Sequence, residues 1–376
     1  MKAAVIGIGF IGAVHIEQLR RLGDVEVVAL ADRTEPEEKA KQLFVPKGYH
    51  DYKEMIDKEK PDCVHICTPN NTHYQIAKYA IEKGIHVLCE KPMTYTLQEA
   101  NELRTLAREK GVIHAMNFNY RFYPMAYQMR EMVKNGEVGN IYTIHGGYLQ
   151  DWLYFDTDYN WRLEKEASGA SRAFADIGSH WIDLVEFVTG LKVVEVLADF
   201  ATFHKTRKKP KKSIDTYSGM SLRPDDYEEV PIDTEDYAAV LFHMNNGAHA
   251  CCHISQVFAG RKNQMTLAIG GSKCAVEWDS ENSNSLWIGK RGEANQIYAK
   301  DPSILAPKTA ILSSYPGGHV EGFADSFKQN FRQIYDRIAS GKTGEYGDFE
   351  TGYREMYLGE KIIQSAREKR WISVDE

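Results

Sequence analysis

Gly7-Ile8-Gly9-Phe10-Ile11-Gly12 constrains this chain more than any other feature. The run follows the apolar stretch Ala3-Ala4-Val5-Ile6 and opens a segment in which Val14, Ile16, Leu19 and Leu22 fall on or near one helical face. It therefore reads as strand, glycine turn, helix. In that setting the three glycines have separate roles. Gly7 permits the tight turn, Gly9 lets the backbone approach a pyrophosphate, and Gly12 allows close packing of helix on strand. Asp32 ends a second, continuously apolar strand over residues 25–30. A carboxylate there accepts hydrogen bonds from ribose hydroxyls and repels a 2'-phosphate, which favours NAD over NADP. The adjacent Arg33 pulls the other way, since a guanidinium suits either an adenine face or a 2'-phosphate.

Two further strand-helix units follow. Residues 63–67 lead into a helix over 72–83, and residues 85–89 lead into one that begins near Thr96, where Thr96 and Glu99 have capping-box spacing and Gly111 supplies the stop. A last strand over 112–116 completes a doubly wound parallel α/β sheet of Rossmann type, predicted to span residues 1–118. Residues 119–376 change character. The runs 237–244 and 248–255 flank Asn245-Asn246-Gly247, and 265–269 and 274–278 flank Gly270-Gly271-Ser272-Lys273, which predicts hairpins and an open, largely antiparallel sheet in an α+β second domain. Helices are expected over about 320–339 and 351–369. The stretch 205–230 shows no periodicity and reads as a long loop.

Composition narrows the class. A net charge of -7 over 376 residues argues against a protein that lives by neutralising phosphates, so a small molecule rather than nucleic acid is the expected partner. The basic run from Lys205 to Lys212, with Arg207 inside it, reads as a solvated loop. No apolar run approaches the roughly 20 residues a bilayer span needs, and no secretory signal pattern opens the chain, so no membrane association and a cytoplasmic location are expected. None of the six cysteines forms a C-x-x-C pair. His243, His249 and His253 lack a metal-ligand spacing, and no metal is expected.

Ligands of open α/β sheets bind beyond the carboxyl ends of the strands. That rule singles out Thr68-Pro69-Asn70 and Glu90-Lys91-Pro92, each directly after a predicted strand. Further along, a helix over 176–190 would set Asp176, His180 and Asp183 on one face at i, i+4 and i+7. The competing account makes Thr68 to Asn70 a plain turn, Asp176 a helix cap and His180 a buried core histidine.

Taken together, Gly7 to Gly12, Thr68-Pro69-Asn70 with His73, Glu90-Lys91-Pro92, Asn117-Phe118-Asn119-Tyr120-Arg121-Phe122 and Asp176-Ile177-Gly178-Ser179-His180 with Asp183 resemble the glucose-fructose oxidoreductase and inositol dehydrogenase family, Gfo/Idh/MocA. The resemblance runs along essentially the whole chain. It implies a second domain that carries the substrate and commonly forms the oligomer interface, so a homodimer or homotetramer is expected. The implied cofactor contacts are Gly7, Gly9, Phe10, Ile11, Gly12, Asp32, Arg33, Thr68, Pro69, Asn70, His73, Glu90, Lys91 and Asn119.

Oxidising a secondary alcohol needs a base near neutral pKa, which suits His180, and a cation to stabilise the developing alkoxide, which suits Lys91. Asp176, as the resemblance implies, bonds the substrate or holds those two. The expected substrate is a sugar, anhydrosugar or cyclic polyol, with Tyr120 as a further contact, joined by Trp152, Arg162 and His319 from the segments Gln150-Asp151-Trp152, Asn160-Trp161-Arg162, Arg172 and Tyr315-Pro316-Gly317-Gly318-His319. Core packing is the alternative account of the tryptophans. Two other functions stay open on these residues: glycoside cleavage through transient oxidation, and a non-catalytic NAD sensor on the same fold.

Overall fold

The computed structural model describes residues 1–211 and 223–375. Its N-terminal part turns short apolar runs into six parallel strands, β1 (Lys2–Ile6), β2 (Glu26–Ala31), β3 (Gly48–Tyr49), β4 (Cys63–Ile66), β5 (His86–Cys89) and β6 (His114–Met116). Their order is β3-β2-β1-β4-β5-β6. Between them run α1 (Phe10–Arg20), α2 (Pro36–Gln42), α3 (Tyr52–Glu59), α4 (His73–Glu82) and α5 (Leu97–Lys110). Successive strand residues feed two cores: Ala4, Ile6 and Val64 pack with Ile76 and Leu103, while Ala3, Val5 and Leu88 pack with Ile16 and Leu19. Burial on both faces is why these strands read as continuous apolar runs. The capping box forms as its spacing predicts, with Glu99 N donating to Thr96 Oγ1 at 3.2 Å and Thr96 N to Glu99 Oε2 at 3.0 Å, worth about 1 kcal/mol.

A nine-stranded mixed sheet dominates the rest. It contains β7 (Ile141–Leu149), β8 (Val193–Ala201), β11 (Tyr237–Met244), β12 (His249–Ser255), β13 (Gln264–Gly271), β14 (Ala275–Asp279), β15 (Ser285–Gly289), β16 (Gln296–Ala299) and β17 (Ile372–Ser373), with β9 (Thr206–Pro210) and β10 (Tyr227–Pro231) forming a separate ribbon. Every pairing in the large sheet is antiparallel except β7 with β12. The helices are α6 (Pro124–Lys134), α7 (Lys165–Ser168), α8 (Ser179–Thr189), α9 (Pro307–Ala310), α10 (Phe323–Ser340) and α11 (Phe349–Glu368). Strict alternation along β12, with Ala250, Cys252 and Ile254 buried, leaves His249, Cys251 and His253 exposed on the other face. His243 spends its ring on Glu195 Oε2 at 2.9 Å and on a stack against Trp371.

One sequence expectation changes. The stretch 205–230 is not one long loop, because β9 and β10 pair in antiparallel register with Lys208 opposite Glu229 and Lys209 opposite Glu228. Opposite charges stabilise such a ladder without any apolar alternation, so hydrophobic periodicity does not register it. Arg207, counted as part of a solvated basic run, is 1 % exposed. Residues 212–222 of that stretch lie outside the described residues.

By its contacts the chain forms a compact unit of Met1–Phe122 with Phe323–Tyr357 and another of Tyr123–Gly322 with Leu358–Glu376, so a segment from near the C-terminus returns to the N-terminal unit. The cause is α10: its spacing of Phe327, Phe331, Ile334 and Tyr335 makes an apolar stripe, and that stripe completes the core holding Ala3, Val5 and Ile16.

Candidate active site

In the first unit the glycine turn is built as a cradle. Gly7 has φ +88° and a Cβ there would meet Cys67 backbone at 2.8 Å, while a Cβ on Gly12 would lie 2.1 Å from Gly7 O. A Cβ on Gly9 would meet nothing within 4 Å, so the backbone of Gly9, which caps α1, faces open space at a helix N-terminus suited to a pyrophosphate. Phe10 and Ile11 form the first turn of that helix, and Phe10 is largely exposed.

Asp32 stands at the end of β2. Its Oδ2 accepts from Ile8 N at 2.6 Å and its Oδ1 from Thr34 N at 2.9 Å. Burial on its own would raise the Asp32 carboxyl, but the amides of Thr34 and Ile8 and the Lys39 ammonium outweigh it and hold the group below its ordinary value. Lys39 Nζ, on α2, pairs with Asp32 Oδ1 at 2.9 Å, a partner the sequence reading did not name. The pair blunts the charge that should repel a 2'-phosphate. Lys39→Ala is therefore expected to weaken NADP binding about tenfold relative to NAD. Titrating each oxidised dinucleotide against protein fluorescence checks this, and an equal effect on both would refute it.

The Thr68 and Glu90 corners are locked from behind. His73 is fully buried, with Nε2 at 2.8 Å from Thr68 O and Nδ1 at 2.9 Å from Pro92 O. Burial lowers its proton affinity against the two carbonyls that favour the charged ring. Both nitrogens are turned to protein carbonyls, so the His73 ring sits between the Thr68 and Pro92 loops. Thr72 Oγ1 bonds Thr68 Oγ1 and Pro69 O, both at 2.7 Å. Glu90 Oε1 accepts from Asn117 Nδ2 at 2.5 Å and lies 3.0 Å from His15 Nε2. Burial would raise that carboxyl, yet His15, Asn117 and Lys91 hold it down at about 2. Asn119 and Tyr120 are buried, and Asn119 Nδ2 donates to Ser326 Oγ at 2.8 Å. Arg33 and Lys91 are exposed and half-buried respectively, and Asn70 is 9 % exposed.

The second unit assembles a different cluster. A π turn over Phe174–Gly178 leads into helix α8, with Ser179 N donating to Phe174 O. Gly178 makes the turn possible, since a Cβ there would lie 2.5 Å from the Phe174 ring. Such π turns are frequent at functional sites. The expected helix over 176–190 thus exists, with Asp176 in its π turn and His180 and Asp183 on α8, these two nearly buried.

Asp176 is gripped at both oxygens: Arg162 Nε donates to Oδ1 at 3.1 Å and Gln256 Nε2 to Oδ2 at 2.9 Å. Gln256, fully buried, is fixed in that orientation because Arg172 Nη1 donates to its Oε1 at 2.9 Å. Sequence reading missed Gln256, although the inward alternation Ala250, Cys252, Ile254 of β12 reaches it and a polar residue at an inward position was a visible signal.

Arg172, expected to face substrate, is instead 1 % exposed. It pairs with Asp236, which also takes Arg207 Nη2 at 3.0 Å. Glu235 caps the same helical start, accepting from Ser171 Oγ at 2.7 Å, Arg172 N at 3.0 Å and Phe174 N at 2.9 Å, while burial raises its carboxyl.

Arg162 also lies over the Trp161 ring. Trp152 donates from Nε1 to Gln150 Oε1 at 2.7 Å and packs on a small cluster with Leu153, Leu163 and Ile232. His319 is exposed on a loop whose foot is pinned by the buried Lys300–Glu321 pair, with Ser314 N donating to Glu321 Oε1 at 2.6 Å. Among the described residues, no group of three or more His, Cys, Asp or Glu is arranged to hold a metal ion, and no helix is long and apolar enough to cross a membrane.

Comparison with known proteins places both units. Residues 1–118 match the oxidoreductase family with NAD-binding Rossmann fold, GFO/IDH/MocA, and residues 127–277 match the GFO/IDH/MocA C-terminal domain. Myo-inositol 2-dehydrogenase of Thermotoga maritima is 30 % identical over 100 % of this chain and 99 % of its own. Levoglucosan dehydrogenase of Pseudarthrobacter phenanthrenivorans is 25 % identical over 100 % and 98 %. The crystal structure of an NAD-binding oxidoreductase from Klebsiella pneumoniae superposes with a TM-score of 0.87 at 26 % identity, covering 100 % of this chain and 99 % of that one. With both of its family models matched and a relative 30 % identical over its whole length, the chain belongs to the Gfo/Idh/MocA family of NAD-binding oxidoreductases.

Proposed function

We propose that this protein oxidises a secondary ring hydroxyl of a sugar, anhydrosugar or inositol to a ketone. Bound NAD supplies the hydride acceptor. The hydroxyl proton goes to the His180 imidazole as the carbon gives up its hydride, and the Lys91 ammonium stabilises the alkoxide that develops on the way.

The observation that carries this reading is the grip on Asp176. Held by N–H donors at both oxygens, it stays an acceptor-only carboxylate one turn before His180, able to orient a hydroxyl or the catalytic cations. Arg162, part of that grip and partly exposed, adds donors for neighbouring hydroxyls, and Trp161 beneath it offers the apolar wall that a sugar ring needs. The substrate class is supported by relatives named as dehydrogenases of levoglucosan, an anhydrosugar, and of myo-inositol.

The test is reduced-nicotinamide absorbance with NAD and a panel of inositols, free pyranoses, anhydrosugars and glycosides. Steady formation of reduced cofactor with one of these classes, abolished in His180→Ala, is the expected result. NAD binding without accumulation of reduced cofactor on any of them would rule out simple oxidation, and product analysis of the glycoside mixtures would then show whether cleavage occurs.

A further inference from the structure

The β9–β10 ribbon joins no other strand, and a two-stranded ribbon is marginal by itself. It is held by the segment that runs into the short 3-10 turn Trp161–Leu163, and it holds that segment in return. Residues 151–160 form neither strand nor helix, so their carbonyls need partners from elsewhere. Arg207 of β9, buried in the second unit, supplies them. Its Nη1 donates to Phe155 O at 2.8 Å and to Asp158 O at 3.2 Å, and its Nη2 donates to Leu153 O at 2.8 Å. Lys208 N adds a bond to Asp156 O at 2.9 Å.

Past the turn the ribbon takes hold again. Lys209 Nζ pairs with Glu164 Oε1 at 2.8 Å and lies over the Tyr159 ring, while Val230 and Ile232 pack with Leu153 and Leu163. The chain is thus gripped on both sides of Trp161 and Arg162. Between the grips Asn160 stiffens the turn, its Oδ1 accepting from Arg162 N at 3.1 Å and from Arg162 Nη1 at 3.3 Å.

Stability does not account for an arginine at position 207. Burying a guanidinium is costly, and packed apolar side chains in place of a buried ion cluster are often as stable or more so. What the guanidinium adds is geometry, because its rigid fork of donors fixes where three carbonyls stand.

We propose that the β9–β10 ribbon sets substrate specificity, with Arg207 as a positioning residue for the Trp161–Arg162 turn. Arg207 fixes the approach of the chain and Lys209 its exit, so the apolar wall and the guanidinium donors between them stand in one place against a sugar ring. A ring whose hydroxyls match that placement is favoured over its epimers, since a rigid polar site leaves groups unpaired against the wrong one. This rests on the substrate role given to Trp161 and Arg162 under Proposed function.

The ratio of kcat/KM between the best substrate of the panel and an epimer of it tests the proposal, because a merely structural role lowers both in proportion. Arg207→Lys keeps a charge for Asp236 but cannot bond three carbonyls at once, and the ratio is expected to fall about tenfold. Lys209→Glu spares the core, since the side chains of its pair are 36 and 39 % exposed. It sets two carboxylates together at the exit of the turn and should lower the ratio about threefold, the scale of an exposed ion pair. Combining Lys209→Glu with Glu164→Lys restores the attraction and should restore the ratio. Trp161→Leu, which removes the wall itself, should lower the ratio at least as far as Arg207→Lys. An unchanged ratio in Lys209→Glu, or in a folded Arg207→Lys, while Trp161→Leu lowers it, would overturn the proposal alone. A charge exchange no better than Lys209→Glu would do the same. An unchanged ratio in Trp161→Leu would instead bring down the substrate wall, and the proposal with it.

Discussion

Replacing Lys91 with methionine lowers kcat for the oxidation by about 10³-fold, the loss that follows removal of one donor aimed at developing negative charge in a site that excludes water. Methionine keeps a stem of similar length, so the effect isolates the ammonium. The substitution leaves the buried supports of this corner intact: His73 still joins Thr68 O to Pro92 O, and Asn117 still donates to Glu90. NAD binding therefore falls by no more than a few-fold. His180→Ala costs about 10²–10⁴-fold by removing the base, and the double variant is not worse by the product of the two, because groups acting in one step fail as a unit. Single-turnover formation of reduced nicotinamide, with the substrate that the panel identifies, gives each number. A Lys91→Met enzyme within about threefold of wild type would sink the assignment and leave alkoxide stabilisation to another cation.

What could be read from the sequence was what local pattern encodes. The glycine turn, the capping box at Thr96, the Asn246-Gly247 hairpin and the helix over about 320–339 all follow from backbone preference or a period of 2 or 3.6, and each formed as expected. The destination of α10 did not follow, because a stripe of Phe327 and Phe331 announces that it needs a partner without naming which sheet supplies one. Polar burial was the second blind spot. Arg207 in a run of lysines looks like surface, and only the three-dimensional arrangement reveals its hydrogen bonds to the carbonyls of Leu153 and Phe155 and its ion pair with Asp236. The same applies to His73, whose place next to a strand end does not announce a ring held between two carbonyls. Lys39 lies seven residues from Asp32 on a different element, so no spacing rule links them. The candidate site was therefore legible in its exposed chemistry and illegible in the buried charges that orient it.

Those buried charges predict a large effect far from any reacting atom. Asp236→Asn should destabilise the second unit by about 4 kcal/mol, the range for removing one partner of a buried ion pair, which lowers its melting midpoint by roughly 8–16 °C for a unit of this size. Two guanidiniums, Arg172 and Arg207, lose their shared counter-charge, and all three side chains are fully buried. Geometry adds to the loss: Asp236 Oδ2 accepts from Phe203 N at 2.7 Å and His204 N at 3.1 Å, where an asparagine amide would present its own N–H groups.

Acid should reach the same state in the unmodified protein. Burial would raise the Asp236 carboxyl, but Arg172, the His204 amide and Arg207 together hold it below its ordinary value. Its contribution is therefore complete above the unfolded carboxylate pKa of about 3.9 and is lost as pH falls through the lower folded value. Thermal denaturation between pH 7 and 2 should accordingly show the wild type converging on the variant at the acid end. Curves that stay parallel across that range would show that the charge of Asp236 is not what the pair of arginines requires. A triple apolar variant, Arg172→Met with Arg207→Met and Asp236→Leu, separates stability from function. It should recover most of the midpoint, since a buried ion triad exchanged for packed side chains is often neutral or better. Turnover should nonetheless stay low, because Gln256 has lost the guanidinium that turns its amide toward Asp176.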